Sequence, residues 1–226
     1  MDIDPSRQRT ADAYDSMYRK ENYFGYRRWL YGPFLAALAT KAGLRRGSSV
    51  LDAGCGQGFF AALLSELGFT VLGVDVSPAG VETANTRFGS STTSFRTGDI
   101  MSLPYNCTFD CVYCRSCSLY NDHDLQRLHC VTDVLLSYIK PGGVLIFDYY
   151  TKLSPRKTSS SWRYHQLTAV RQHFARYPHT EVYFSLRFEA MLFRGWTLTS
   201  ALTRLNSFVS RLTGIGGEAI AMVWKD

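Results

Sequence analysis

The spacing of apolar residues changes along this chain, and each change marks a predicted element. Over residues 9–42, apolar side chains recur every three or four positions, as at Tyr14, Met17 and Tyr18, which predicts two or three short helices. From residue 48 onwards, short apolar runs that suit strands alternate with segments of helical spacing. The predicted strands cover residues 48–52, 70–75, 93–97, 109–115 and 143–150, and the helices between them cover 59–67, 78–88 and 122–139.

Strands that alternate with helices favour right-handed crossovers and a mostly parallel sheet with helices on both faces. Beyond residue 150 the pattern predicts an exposed loop, a helix at 162–176 and strands at 181–187 and 219–224. An apolar helical insertion that contains several arginines separates these two strands at 188–217. We therefore expect a single three-layer α/β domain with a seven-stranded sheet. Its parts are N-terminal helices (1–46), a core (47–150) and a sheet-closing region (151–226).

Composition agrees with a folded protein of ordinary type. Hydrophobic residues make up 46% and charged residues 19% of the 226 residues, as in most globular domains. No apolar run reaches the roughly 18 residues that span a bilayer, and the first twenty residues contain no secretion signal. We therefore expect a cytoplasmic protein whose six cysteines are reduced thiols rather than disulfides.

The formal net charge of +6 is concentrated in the last third of the chain. Residues 151–226 hold eleven Lys and Arg against four Asp and Glu, a local charge of +7. This excess fits either an anionic partner or a merely solvated face. The insertion at 188–217 fits an acceptor pocket, a homodimer face, contact with an anionic membrane surface or a packed core helix. No nucleic-acid-binding motif accompanies the charge, so we expect no nucleic-acid partner.

The turn after the first predicted strand carries the clearest chemistry. Asp52 ends the strand, and the alternating glycines Gly54, Gly56 and Gly58 follow it. Glycines let a ligand approach the backbone closely, as nucleotide sites require. Residues 56–61 also fit the G-x-G-x-x-A form of the dinucleotide fingerprint, so the glycines alone leave two cofactors open. Asp52 favours S-adenosylmethionine (SAM), because a carboxylate repels a pyrophosphate and attracts the methionine ammonium of SAM.

The same stretch matches a family motif. Val50 to Gly58 fits the first motif of the class I SAM-dependent methyltransferases, hydrophobic-hydrophobic-(Asp/Glu)-x-Gly-x-Gly-x-Gly, at every position. Later segments resemble the family in the same order: Asp75 closes the second strand, Gly98-Asp99-Ile100 follows the third, and Pro141-Gly142-Gly143 precedes the fifth. The chain thus resembles this family over residues 48–150. Tyr14-Asp15-Ser16-Met17-Tyr18 is similar to an N-terminal segment of its small-molecule members.

The resemblance implies a Rossmann-like methyltransferase fold that binds SAM and releases S-adenosylhomocysteine as product. By analogy, Asp75 and the adjacent Val76 bind the ribose, whereas Asp99 and Ile100 bind the adenine. Tyr14 and Tyr18 either cover the methionine end of SAM or simply pack the first helix. The cofactor-binding residues implied are Tyr14, Tyr18, Asp52, Gly54, Gly56, Gly58, Asp75, Val76, Asp99, Ile100 and Arg115.

Methyl transfer from a sulfonium is an in-line displacement, so alignment is the main task and a base is needed only for some acceptors. Residues that follow the fourth and fifth strands face the acceptor in this fold, and His123 and Tyr149 are the candidate proton acceptors. We expect methylation of an oxygen or nitrogen of a small molecule, with anionic and lipid-linked acceptors among the candidates. The alternatives are a non-catalytic SAM-binding module and an NAD(P)-dependent oxidoreductase.

Two further residue patterns, of cysteines and of histidines, do not predict a metal or iron–sulfur site. Cys107, Cys111 and Cys114 have the C-x3-C-x2-C spacing of an iron–sulfur site. However, a strand at 109–115 would place Cys111 and Cys114 on opposite faces, so the thiols would not converge. The five histidines lack metal-ligand spacing, and no metal site is expected. The Asn/Asp-Pro-Pro-Tyr/Phe motif of enzymes that methylate adenine or glutamine nitrogens does not occur.

Overall fold

A seven-stranded sheet lies at the centre of the part of the chain that the structure describes. The computed structural model describes residues 5–20, 28–151, 162–185, 205, 208, 209, 212 and 217–226. The strands are β1 (Ser49–Ala53), β2 (Thr70–Asp75), β3 (Thr93–Thr97), β4 (Phe109–Arg115), β5 (Ile139–Thr151), β6 (Thr180–Ser185) and β7 (Gly217–Trp224). Their order is β3-β2-β1-β4-β5-β7-β6. Strands β1 to β5 pair in parallel, and β7 is antiparallel to both of its neighbours.

Helices cover both faces of the sheet. They are α1 (Pro5–Lys20), α2 (Arg28–Lys41), α3 (Phe59–Glu66), α4 (Pro78–Phe88), α5 (His129–Ser137) and α6 (Leu167–Phe174). One apolar cluster packs α5 and α6 against one face, and a second packs α2, α3 and α4 against the other. The predicted three-layer, Rossmann-like arrangement is therefore confirmed.

Strand β5 shows how side-chain alternation divides these two clusters. Leu145, Phe147 and Tyr149 belong to the cluster under α5 and α6, whereas Val144 and Ile146 belong to the opposite one. Alternate residues of a strand point to opposite faces, so each residue's position in β5 decides which layer it reaches.

Several boundaries differ from the sequence-based expectation: the helix expected at 162–176 covers only Leu167–Phe174, and two other differences have a local cause. Strand β5 begins at Ile139 rather than residue 143, and its register against β4 shifts between Phe109 and Cys111. A Cβ atom on Gly143 would lie 2.7 Å from the carbonyl oxygen of Asp110, so the bulge needs glycine there. The helix predicted from residue 122 begins only at His129, because the Asp124 carboxylate caps a short 3-10 turn by accepting from the Gln126 amide.

Some predicted features lie outside the described residues. These are the loop at 152–161 and most of the insertion at 188–217, of which Leu205, Phe208, Val209, Leu212 and Gly217 are described. Leu205, Phe208 and Leu212 are exposed. Among the described helices, none has the length and apolar character needed to cross a membrane.

Candidate functional site

A cavity of about 340 Å³ opens at the carboxyl ends of β1, β2 and β4, beneath α1. Ligands of open α/β sheets bind at this edge, next to the point where the strand order reverses. Ten of the eleven predicted cofactor-binding residues line it: Tyr14, Tyr18, Asp52, Gly54, Gly56, Asp75, Val76, Asp99, Ile100 and Arg115. The structure therefore brings together side chains that are up to about a hundred positions apart in sequence.

The three glycines of the turn after β1 all have positive φ angles, of 81°, 52° and 84°, but different surroundings. A Cβ atom on Gly54 would be in ordinary contact with the Cys117 side chain, 3.5 Å from its Sγ, whereas one on Gly56 would lie 2.8 Å from the Tyr18 hydroxyl. Gly58 does not line the cavity. A Cβ there would lie 2.7 Å from the Ala84 side chain, so this glycine lets α3 and α4 pack closely.

The Asp75 carboxylate fastens the turn to the end of β2. Its Oδ2 accepts a hydrogen bond from the Gly56 amide at 2.8 Å, and its Oδ1 accepts one from the Ser77 amide at 2.9 Å. Burial raises the pKa of Asp75, and these amide donors counteract that effect. Each carboxylate oxygen can accept a second hydrogen bond, which leaves capacity for two neighbouring hydroxyls.

Asp52 is the most unusual group of the cavity. Its side chain is buried, and within the described residues its Oδ2 has no hydrogen-bond partner. Burial, together with the nearby Asp75 charge, raises the pKa of Asp52 to about 7. A buried carboxylate oxygen without a partner is costly. The arrangement therefore favours a bound cation or hydrogen-bond donor beside Asp52.

The loop after β3 forms the far end of the cavity. Gly98, Asp99 and Ile100 line it, and Asp99 Oδ1 accepts from the Met101 amide at 2.9 Å, which fixes the loop. Several lining residues were not predicted from the sequence. They come from α1, the glycine turn, the start of α3, the end of α4 and the segment before α6: Thr10, Gln57, Phe59, Phe60, Arg87, Phe88, Trp162 and Tyr164. For the residues at the start of α3, their position directly after the glycine turn was a usable signal.

Arg115 lines the cavity, but its guanidinium is already engaged. It is ion-paired with the Asp148 carboxylate, and its Nη2 donates to Glu218 Oε1 at 2.6 Å and to the Tyr150 hydroxyl at 3.3 Å. The Tyr113 hydroxyl donates to Asp148 at 3.0 Å. Two carboxylates thus neutralise the Arg115 charge, and the group ties β4, β5 and β7 together.

Aromatic rings enclose the same guanidinium. Its central carbon lies 4.8 Å from the centre of the Phe60 ring, 5.1 Å from that of Tyr31 and 5.3 Å from that of Tyr150. Cation–π contacts of this kind are strongest where water is excluded. Arg115 therefore shapes the cavity wall and holds Tyr150 in it, and its contact with the cofactor stays a prediction.

The two candidate proton acceptors are not among the cavity-lining residues. His123 is exposed on the loop before the 3-10 turn. Tyr149 is fully buried, because the odd-numbered positions of β5 face α5 and α6. Its ring stacks on that of Trp162, with the ring centroids 5.6 Å apart. Burial raises the pKa of Tyr149 well above its usual range, so the hydroxyl keeps its proton. The neighbouring Tyr150, rather than Tyr149, faces the cavity.

The segment after β4 supplies the wall between the glycine turn and β5. Ser116, Cys117, Ser118 and Leu119 line the cavity, and Ser116 has a left-handed φ of 44°. Non-glycine residues with such angles are concentrated at functional sites. Cys111 and Cys114 belong to apolar clusters on opposite faces of the sheet, as their spacing predicted.

Helix α1 closes the outer side of the cavity. The Tyr14 and Tyr18 rings stack with centroids 5.8 Å apart, and both residues line the cavity. Tyr18 is buried. The sequence left two roles open for Tyr14 and Tyr18, covering the cavity and packing the first helix. This position is consistent with both.

The strand order with its antiparallel β7, and the carboxylate-led glycine turn at the first crossover, are typical of the Rossmann-like methyltransferase fold. Residues 50–143 match the family model described as a methyltransferase domain. The matched segment comprises 94 of the 226 residues.

Curated relatives are similar over most of this chain. A malonyl-[acyl-carrier protein] O-methyltransferase of Erwinia pyrifoliae is 31% identical over 175 residues, which cover 74% of this chain and 61% of that protein. The corresponding enzyme of Erwinia billingiae is 28% identical and is covered to 60%. The chain therefore spans about three-fifths of the length of the curated relatives it matches.

Solved structures share the fold at low sequence identity. The phosphoethanolamine N-methyltransferase 2 of Haemonchus contortus in complex with SAM superposes with a TM-score of 0.66, at 16% identity, over 94% of this chain and 60% of that chain. The [4+2]-cyclase SpnF superposes with a TM-score of 0.65, at 18% identity, over 96% of both chains. At these identities the likeness concerns the fold alone.

Proposed function

We propose that this protein transfers a methyl group from SAM to an oxygen or nitrogen of a small-molecule acceptor. The observation that carries the proposal is the buried Asp52 carboxylate, whose Oδ2 lacks a partner in the described structure and which lines the cavity behind the glycine turn. SAM carries an ammonium that would satisfy this oxygen. A dinucleotide would instead place a pyrophosphate near a carboxylate, with unfavourable charge repulsion.

The other lining residues fit the remaining parts of SAM. Asp75 retains acceptor capacity that would serve the ribose hydroxyls, and the cavity-lining loop at Asp99 and Ile100 would hold the adenine. Gly54 has no side chain that would fill the space beside Cys117. When bound, SAM would supply an activated methyl group on its sulfonium. These residues would hold the donor and keep it aligned with the acceptor.

Alignment, rather than a strong base, is the proposed catalytic contribution of this chain. Among the described lining residues there is no histidine. Tyr149 does not line the cavity, and its hydroxyl keeps its proton because burial raises its pKa. The acceptor would enter beside Ser116, Tyr150 and Trp162, which line the cavity next to the glycine turn. A cavity that orients two reactants supplies much of the rate enhancement of a displacement reaction.

The relatives support an anionic or carrier-linked acceptor. The names of the curated relatives specify a malonyl group on acyl-carrier protein, and that of the Haemonchus contortus enzyme specifies phosphoethanolamine. Both acceptors carry negative charge. The local charge of +7 over residues 151–226 would attract such molecules.

The alternative is a chain that binds SAM without transferring methyl groups; the [4+2]-cyclase with a similar fold supports it only in that its name specifies a reaction other than methyl transfer. Calorimetry with SAM, S-adenosylhomocysteine and NAD⁺ tests the donor, and binding of NAD⁺ alone would overturn the proposal. Labelled SAM is then incubated with a malonyl thioester of acyl-carrier protein and with phosphoethanolamine. Label in either acceptor supports the methyltransferase, whereas tight SAM binding without label in these or in a metabolite extract supports the alternative.

The proposal also covers the cellular compartment of the protein, its contact with membranes and its oligomeric state. All six cysteines are free thiols, which supports the reducing cytoplasm as the compartment. Contact with an anionic membrane surface and formation of a homodimer would involve the basic segment at 188–217, most of which lies outside the described residues. Flotation with anionic vesicles and light scattering of the purified chain test these two proposals separately.

A further inference from the structure

Asp15 joins α1 to the start of α4. Its Oδ1 accepts a hydrogen bond from the Ala79 amide at 2.8 Å and another from the Ser77 hydroxyl at 2.8 Å. The Ser77 oxygen in turn accepts from the Gly80 amide at 3.1 Å and so forms the N-cap of α4. Amides in the first turn of a helix have no partner within the helix, so a carboxylate from α1 completes this cap. The contact with Ala79 is the main reason that the pKa of Asp15 is lowered.

Tyr18, one turn further along α1, contacts the glycine turn itself. A Cβ atom on Gly56 would lie 2.8 Å from its hydroxyl oxygen, and one on Gly80 would lie 2.9 Å from its ring. The Gln57 side chain donates to the Tyr18 carbonyl oxygen at 3.3 Å. The ring therefore fits between two positions at which any side chain would collide with it.

The segment that Asp15 caps is also the segment that holds the glycine turn. Asp75, which accepts from the Gly56 amide, accepts from the Ser77 amide as well. Asp15 thus binds the Ser77 side chain while Asp75 binds the Ser77 backbone. Any shift of α1 relative to α4 would move Tyr14 and Tyr18 away from the cavity that Asp75 shapes.

We propose that Asp15 is a positioning residue of the donor site: by capping α4, it fixes α1 so that Tyr14 and Tyr18 form the outer wall of the cavity. The role rests on the proposed binding of SAM. Asp15 does not line the cavity, so it acts through the two tyrosines rather than on the ligand. It would explain why an aspartate lies between these aromatic residues on α1, one position after Tyr14.

The test compares Asp15→Ala and Asp15→Asn with the matched control Asp12→Asn, which removes an exposed carboxylate from the same helix. Calorimetry should show SAM affinity reduced about tenfold in Asp15→Ala and less in Asp15→Asn, since the asparagine Oδ1 can still accept both bonds and only the charge is lost. The control should bind like the wild type. With the full chain and a detected acceptor, KM for SAM should rise while kcat at saturating SAM changes less than about twofold.

Hydrogen exchange of the ligand-free protein supplies a readout that does not depend on activity. Amides of residues 9–20 should exchange faster in Asp15→Ala, whereas those of β1, β4 and β5 should keep their protection. Unchanged exchange in α1, or unchanged SAM affinity in a variant that folds, would overturn the positioning role. Loss of protection throughout the sheet would overturn it too, because Asp15 would then support the whole fold. A wild-type chain that does not bind SAM would instead overturn the proposed function.

Discussion

Arg115 on β4 reaches across β5 to Glu218 on β7, and its Nη2 donates to Glu218 Oε1 at 2.6 Å. The intervening strand contributes Asp148, the second carboxylate of the group. All three side chains are at most 6% exposed. Two carboxylates share one guanidinium in a water-poor environment, so each depends on Arg115 for its charge compensation.

Replacement of Arg115 by methionine should therefore destabilise the protein strongly. Removing one partner of a buried ion pair costs about 3–5 kcal/mol, because the remaining charges are left uncompensated. Urea denaturation of Arg115→Met and of the exposed-pair control Arg127→Met measures the difference. The control should change the free energy of unfolding by less than about 1 kcal/mol. Adding Glu218→Gln to Arg115→Met should restore part of the loss, and a double variant no more stable than Arg115→Met would contradict this account.

Binding of SAM should weaken in acid through Asp52. The pKa of Asp52 is about 7 in the ligand-free protein, and an ammonium beside it favours the ionised carboxylate. Below pH 7, binding must release this proton, so affinity should fall by up to about tenfold per pH unit. Calorimetry between pH 5.5 and about pH 7.5, where the ligand amine stays protonated, measures the slope.

Asp52→Asn should bind SAM more weakly and show no such slope. Asp110→Asn is the matched control, since Asp110 pairs with Lys140 and Ser49 at the other end of β4. It should keep the wild-type pH dependence. An unchanged slope in Asp52→Asn would show that another group titrates.

Acid should also destabilise the fold through His173. This residue is fully buried: its Nδ1 donates to the Leu125 carbonyl at 2.7 Å, and its Nε2 accepts from the Thr132 hydroxyl at 2.8 Å. The neutral ring is thus satisfied, and burial lowers the pKa of His173 to about 4. In the unfolded chain the pKa of this histidine is about 6.5, so the unfolded chain takes up the proton at a higher pH than the folded chain does. Stability is therefore fully present above about pH 6.5 and falls by about 3 kcal/mol as the pH drops to about 4.

Urea denaturation from pH 7.5 to pH 4.5 measures this loss. His173→Gln should be less stable at neutral pH but should lose less stability on acidification than the wild type. His123→Gln, which alters an exposed ring, should follow the wild-type curve. Parallel curves for all three proteins would assign the acid sensitivity to other groups.

Gly56→Ala should impair SAM binding beyond its effect on stability. Both Gly56 and Gly142 have positive φ angles, of 52° and 74°, but only Gly56 has a neighbour, the Tyr18 hydroxyl, within 4 Å of an added Cβ. Each alanine should cost about 1 kcal/mol of stability through its backbone. Only Gly56→Ala should also lower SAM affinity, by tenfold or more, which calorimetry on the folded variants can measure. Equal SAM affinities of the two variants would indicate that Tyr18 can shift to accommodate the added methyl group without any effect on SAM binding.

Tyr149→Phe should retain turnover and should not destabilise the fold. The Tyr149 hydroxyl is buried without a hydrogen-bond partner in the described structure, so its removal ends a desolvation cost. Thermal unfolding should show equal or higher stability, and labelled transfer should stay within about twofold of the wild type. A large loss of kcat with unchanged KM would restore Tyr149 as a participant in proton transfer.

The sequence predicted the donor side of the cavity because that side is built from local motifs. Asp52, the glycines and Asp75 lie at strand ends, and parallel strands bring such ends to one edge. The Arg115 environment could not be foreseen, because Glu218 lies 103 positions away and meets it only through the order of the strands. Tyr149 was predicted to face the cavity, whereas Tyr150 does. The sequence shows that these two neighbours point to opposite faces of the sheet, but not which face carries the cavity.

The position of β7 between β5 and β6 also affects how the chain folds during synthesis. Residues 49–151 can form the five parallel strands as they emerge, but the open edge of β5 and the Arg115–Glu218 pair must wait for residues 217–224. At about 5–20 residues per second, the ribosome would leave this edge unpaired for several seconds. Nascent chains of this protein would therefore pass through a stage that is vulnerable to strand pairing with other chains, a stage at which chaperones act.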